Sequence, residues 1–231
     1  MKFLMALCCL SCSILFAQSN IPEGYTLVYQ QDFEAPDALN DFEMTDANAW
    51  QIRETTKGKS LDLFGKSHYE ARVRSPFNIA IIKDLVVGDF VFEAQLNQTG
   101  KEYGHRDLCL FFGFNNATNF YYVHIASQTD AHANNIFLVN DEPRKLISTK
   151  TTSGTDWGTT DSWHQVRVER DIDSGSIKVF FDDMSIPIME ATDVHFTEGY
   201  IGVGSFDDTG AFDNIKIWAS KKEPRLKTFF R

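Results

Sequence analysis

Apolar and polar residues alternate along most of this chain in short runs, and the runs end at Gly, Asn or Asp. A period of two over four to eight residues marks a β-strand with one buried face. The pattern predicts strands over 25–33, 61–64, 69–75, 90–97, 107–114, 119–126, 135–140, 145–149, 163–170, 176–182, 199–206 and 212–219. Turn residues punctuate them at 97–100, 115–116, 171–175, 182–183 and 207–210. No window of helical length carries a 3.6-residue apolar stripe. Many short strands with close turns predict an all-β domain: a sandwich, jelly roll or barrel.

Alternation also assigns faces, because successive side chains of a strand point to opposite sides of its sheet. In 90–97, Phe90, Phe92, Ala94 and Leu96 point one way and Val91, Glu93, Gln95 and Asn97 the other. In 119–126, Tyr121, Val123 and Ile125 share a face, and Phe120, Tyr122, His124 and Ala126 share its opposite. In 163–170, Val166 and Val168 face the core, leaving Gln165, Arg167 and Glu169 outside. Several strands thus offer an aromatic and polar face, a surface suited to sugars.

Composition narrows this picture. Hydrophobic residues make up 43% of the 231, aromatics 13%, and Phe alone contributes 20, which supplies a large core. The formal net charge of −10 argues against general nucleic-acid binding, which needs a basic footprint. Residues 1–17, MKFLMALCCLSCSILFA, read as a secretory signal peptide, with cleavage expected after Ala17 and a secreted or periplasmic location. The run is too short to span a membrane, so no membrane span is expected. The residues before Cys12 fit a lipobox poorly, which makes a lipoprotein the weaker alternative. The expected organisation is a signal over 1–17, one domain over 18–220 and a loose basic tail over 221–231. Only Cys109 remains after the signal, so the fold must stand without an internal disulfide, and Cys109 reads as a small buried hydrophobe.

Candidate chemistry concentrates in HRD at 105–107 and in 121–144, which together hold His105, Arg106, Asp107, Tyr122, His124, Asp130, His132, Asn134, Asn135 and Arg144. The strands 107–114, 119–126 and 135–140 are expected to be antiparallel neighbours, which would gather these side chains. His124, Asp130 and His132 could ligate a metal, although their spacing matches no standard zinc motif. From 53 to 74 basic residues outnumber acidic ones by three, which suits the edge of a groove for an anionic glycan, or an ordinary solvated face.

Three segments carry a family resemblance. WHQVRVERDIDSGSIKVFFDDMSIPI, at 163–188, resembles a strand pair of laminin-G and concanavalin A-like domains. GYIGVGSFDDTGAFDNIKIW, at 199–218, is similar to the closing strands of that superfamily, and LVYQQDFEA, at 27–35, to its first strand. The resemblance implies a concanavalin A-like jelly-roll sandwich of two antiparallel sheets. It specifies function poorly, because lectins, glycosidases, lyases and adhesion modules share the fold. The chain looks like secreted jelly-roll proteins of polysaccharide-degrading bacteria, a group that includes polysaccharide lyases and 3-keto-disaccharide hydrolase-type domains.

The resemblance further implies three sites. Jelly-roll polysaccharide lyases combine a Gln and a His on neighbouring strands with an Arg and a Tyr. Here that plan would use Gln95, His124, Arg106 or Arg144, and Tyr122 for β-elimination on a uronic-acid sugar, by a lyase or dehydratase with His/Tyr acid–base chemistry. Glu93, His105, His132, Asn135, Arg144 and Arg167 would bind the polysaccharide or oligosaccharide. Laminarinase-type relatives place their acids alternately on one strand, but here Glu93 is followed by Gln95 and Asn97, leaving Glu169 as a distant partner. Many relatives hold a structural calcium where the first and last strands meet, which points to Asp213 with Glu34. No cofactor is expected for catalysis. A glycoside hydrolase and a non-catalytic glycan-binding module remain the alternatives.

Overall fold

A computed structural model describes residues 21–55, 58–225 and 227–230; the expected signal peptide lies outside them. Among the described residues the chain forms β1 (Thr26–Gln31), β2 (Phe42–Met44), β3 (Trp50–Thr55), β4 (Gly58–Leu63), β5 (Asn78–Val87), β6 (Phe90–Gln98), β7 (Asp107–Asn116), β8 (Asn119–Ala126) and β9 (Asn135–Asn140). There follow β10 (Lys145–Leu146), β11 (Ser148–Thr151), β12 (His164–Arg170), β13 (Ser176–Phe181), β14 (Met189–Thr192), β15 (Gly199–Ser205), β16 (Gly210–Ala219) and β17 (Lys222–Glu223). Helix is limited to two 3₁₀ turns at Ala38–Asp41 and Ala47–Ala49.

All strand pairings are antiparallel, and they build two sheets. The first runs β11-β14-β13-β12-β6-β16-β4-β3, with β1 also on β16; the second runs β10-β9-β8-β7-β15-β5-β17, with β2 also on β5. The two sheets stack face to face as the jelly-roll sandwich that the three segments resemble. Phe90, Phe92, Ala94 and Leu96 of β6 meet Tyr121, Val123 and Ile125 of β8 in the core between them. The expected faces of β6, β8 and β12 are those observed.

The outer face of the second sheet carries a further core. Ile79 and Ile81 of β5, Cys109 and Phe111 of β7, Phe120 and Tyr122 of β8, and Phe137 of β9 are buried there as a separate apolar cluster. Two pieces of chain lie over it. One is the segment 65–77, which contributes Val73; the other is the C-terminal tail, which contributes Phe229 and Phe230.

This covering corrects two expectations. Residues 69–75 form no strand but irregular chain across the sheet. The described part of the tail is not loose. Lys222 and Glu223 pair with β5, and the Phe229 and Phe230 N–H groups donate to Glu43 Oε1 at 2.7 and 3.0 Å. Phe229 stands edge-on to Phe114 and Tyr200. Among the described residues no helix is long and apolar enough to cross a membrane.

Candidate functional site

β7, β8 and β9 are sequential antiparallel neighbours, as expected, and place Tyr122 and His124 on the outer face of the second sheet beside Phe137 and Asn135. The covering chain then buries both. Tyr122 is 0% exposed, and its hydroxyl accepts a hydrogen bond from Arg144 Nη1 at 2.9 Å. Arg144 lies over the Phe206 and Phe137 rings at 4.3 and 4.9 Å. Burial pushes the Tyr122 hydroxyl well above the usual phenol range, with Arg144 opposing.

His124 is 3% exposed, and burial lowers its imidazole to about 3, helped by the charge of Arg144. A base that weak and enclosed cannot take a proton from a sugar, because the group must touch the substrate and titrate near the working pH.

The other expected catalytic and binding residues are scattered. Gln95, Glu93 and Arg167 sit on the outer face of the first sheet, across the whole sandwich from Tyr122 and His124. There Arg167 is buried and binds Glu93 at 2.5 Å and Glu169 at 3.3 Å, while Gln95 Oε1 accepts from Asn214 Nδ2 at 3.2 Å. Arg106 is buried and ties Ser127 Oγ to the Gly158 carbonyl. His105 pairs with Asp130 at 2.8 Å, the His132 N–H donates to the same carboxylate, and Asn135 spends its amide on the Asp130 and Ala133 carbonyls.

The Gln95, Arg106, Tyr122, His124 constellation is therefore not assembled. Nor do His124, Asp130 and His132 converge. Among the described residues two groups of three metal-ligating side chains come together: Asp107, Cys109 and His124, and Asp107, Asp207 and Asp208.

Asp213 belongs to neither group. It lies at the bulge in β16, where the Asn214 N–H donates to it at 2.6 Å. Burial, with the charges of Asp32 and Glu34, raises its carboxyl to about 6. The basic residues of 53–74 are dispersed: Arg53 pairs with Asp62, Lys66 lies over Phe77, and Arg74 over Phe206. Those among the described residues form no single groove edge.

A cavity of about 590 Å³ opens at the end of the second sheet. Its floor is the β7–β8 hairpin, 116–119. Gly113, at φ 54°, supplies the left-handed residue of a bulge that re-aims the end of β7 toward that turn. In the turn, Asn116 Oδ1 accepts from the Thr118 N–H and from Asn119 Nδ2, a side-chain turn typical of Asn.

Asp141, following β9, accepts from Thr118 Oγ1 at 2.6 Å and from Asn119 Nδ2 at 3.0 Å. Those bonds hold its carboxyl below the usual carboxylate range. The walls are Tyr69, Glu70 and Arg72 from the covering segment and Phe229 and Phe230 from the tail, with Tyr69 edge-on to Phe230 at 5.7 Å. Sequence reading missed this site because its walls come from a segment read as a strand and a tail read as loose. The Asn-rich turn at 115–119 was its one visible sign.

No family model matches the chain, and no curated protein matches it in sequence. Solved structures do match in shape. The carbohydrate-binding module CBM66 of Bacillus subtilis is similar over 79% of this chain and 95% of its own, at 19% identity and a TM-score of 0.52. A Bacillus subtilis protein of unknown function with a galectin-like fold covers 87% and 100%, at 13% identity and a TM-score of 0.56. Domain 4 of AbnA, a GH43 extracellular arabinanase from Geobacillus stearothermophilus solved with arabinotriose, covers 88% and 95%, at 12% identity and 0.51. The fold is a concanavalin A-like jelly-roll sandwich of two antiparallel sheets.

Proposed function

We propose that this protein is a secreted, non-catalytic glycan-binding module whose sugar site is the Tyr69–Asp141–Phe230 cavity. The observation that carries the reading is the cavity's make-up. Rings stand on one side and a polar turn, braced by its own hydrogen bonds, on the other. A pyranose needs both, an apolar surface for its C–H face and oriented donors and acceptors for its hydroxyls. Bracing matters because groups already held in place lose little entropy on binding.

Two carboxylates, Glu70 and Asp141, face one guanidinium, Arg72. That balance favours a neutral sugar over a uronate. The similar solved structures include a carbohydrate-binding module and a domain described with arabinotriose, which supports the class of ligand. The leader-like segment 1–17 supports the secreted location.

The paired carboxylates favour a second reading, glycoside hydrolysis. That mechanism needs one carboxylic acid kept protonated at the working pH. Asp141 Oδ1 is already held by Thr118 Oγ1 and Asn119 Nδ2 as a fixed acceptor, which suits a sugar hydroxyl, and binding is the reading put first.

Affinity electrophoresis through gels containing neutral polysaccharides tests the proposal, run beside assays for new reducing ends and unsaturated uronates. Retardation by at least one glycan with no turnover is expected. New reducing ends lost in Glu70→Gln would move the function to hydrolysis.

A further inference from the structure

The geometry points to a buried structural site for a zinc-class divalent metal, formed by Asp107, Cys109 and His124 at the end of the β7–β8 pair. Asp107 and Cys109 are alternate residues of β7 and so share its outer face, and His124 is the cross-strand partner of Cys109. All three are buried. Asp107 Oδ2 lies 3.1 Å from Cys109 Sγ and 3.7 Å from His124 Nε2. The edges of a tetrahedral zinc site with thiolate, imidazole and carboxylate ligands are about 3.3–3.5 Å, so small side-chain shifts would close the site. A thiol and an imidazole select zinc-like metals over calcium or magnesium, which prefer all-oxygen shells.

A second observation points the same way. His124 Nε2 lies 3.7 Å from Asp107 Oδ2, beyond hydrogen-bond reach but close enough for one ion to contact both. A metal ion between them would bind the two together. Nδ1 accepts the Asn134 N–H at 3.4 Å, so binding a metal through Nε2 would move the ring proton to Nδ1 and give up that long contact.

The cluster also has a route to solvent. Asp107 is shared with a second group, Asp207 and Asp208, of which Asp207 is exposed. Asp207 and Asp208 add carboxylate oxygens beside Asp107 on that side of the cluster. Bound there, the metal would pin the β7–β8 pair through three protein ligands, with water in the fourth tetrahedral position, at a place distinct from the sugar cavity.

The test is metal uptake by the full mature chain. Apo protein prepared with a chelator is titrated with Zn²⁺, then separately with Co²⁺. One equivalent of Zn²⁺ is expected to bind and to raise Tm with concentration. Co²⁺ is expected to give a thiolate-to-metal charge-transfer band, which requires Cys109. Cys109→Ser keeps the donor to Asp107 and should fold, so its chelated Tm should stay near that of the wild type while the band and the zinc-induced shift vanish.

No uptake by the folded wild-type protein would overturn the proposal. So would zinc binding that survives in Cys109→Ser, which would mark the exposed pair His105 and His132 as the ligands.

Discussion

At the scale of single residues, the identity of a side chain decided less than its surroundings. His124 and Tyr122 have the right chemistry for acid–base catalysis, and the sequence placed them correctly on one face of one strand. What the sequence did not show was the chain that covers that face. Glu93, Gln95 and Arg167 were also assigned to the outside of their strands correctly. Strand alternation, however, gives inside or outside relative to one sheet, and a sandwich has two outsides. The expected site mixed residues from both.

Asp213 offers a test at this scale. Its folded carboxyl is raised to about 6, first by burial and then by Asp32 and Glu34, above an unfolded value of 3.8. The fold therefore favours the protonated form. The cost of ionising it is absent below about pH 3.8, grows as pH rises through 6, and is full above that.

Asp213→Asn removes that cost while keeping an acceptor for the Asn214 N–H. Discounted for partial exposure, the variant should gain about 1 kcal/mol at pH 7 and nothing at pH 3.5. Chemical denaturation at the two pH values in a chelator checks this, and an equal effect at both would contradict it. A bound calcium at Asp213 would reverse the sign at pH 7 when calcium is restored.

At the scale of elements, strands such as β6 and β12 were legible because one of their faces carries polar residues. The clearest failure was β5, NIAIIKDLVV, which was not expected as a strand at all. Ala80 and Ile82 pack into the central core, and Ile79 and Ile81 into the outer one, so both faces are apolar and the period of two disappears. The misread segment 69–75 has the opposite cause. Its apolar Val73 packs onto the second sheet and Tyr69 against Phe230 of the tail, so it mimics strand alternation without joining a ladder.

The tail was misjudged from its basic composition, when Phe229 and Phe230 are what anchor it. Phe229→Ala should therefore destabilise the protein by about 1–2 kcal/mol, less than a fully enclosed Phe because the ring is only partly buried. It should also expose apolar surface on the second sheet. Urea denaturation and binding of a hydrophobic dye check it; unchanged stability with no dye binding would show that the tail does not cover the sheet.

At the scale of the whole molecule, the protein is a jelly roll with an added outer layer on one sheet. That layer closes the broad face on which the expected chemistry sat. It leaves a smaller cavity at the face's end, walled by the covering segments themselves. The fold class could be read from strand spacing and the three family-like segments, because both depend on local pattern. The site could not, because Tyr69, Asp141 and Phe230 are distant in sequence and meet only once the covering segment and tail are in place.

The most direct measurement is calorimetric titration of the wild type, Tyr69→Ala and Tyr122→Phe with the neutral oligosaccharide that retards the protein most in affinity gels. The cavity site requires Tyr69→Ala to lose binding by tenfold or more, the loss of about 1.4 kcal/mol expected when a stacking ring is removed. It requires Tyr122→Phe, buried beneath the outer layer, to bind as the wild type does. Equal affinity in wild type and Tyr69→Ala, or loss in Tyr122→Phe with the fold intact, would contradict the account and return the ligand to the covered face.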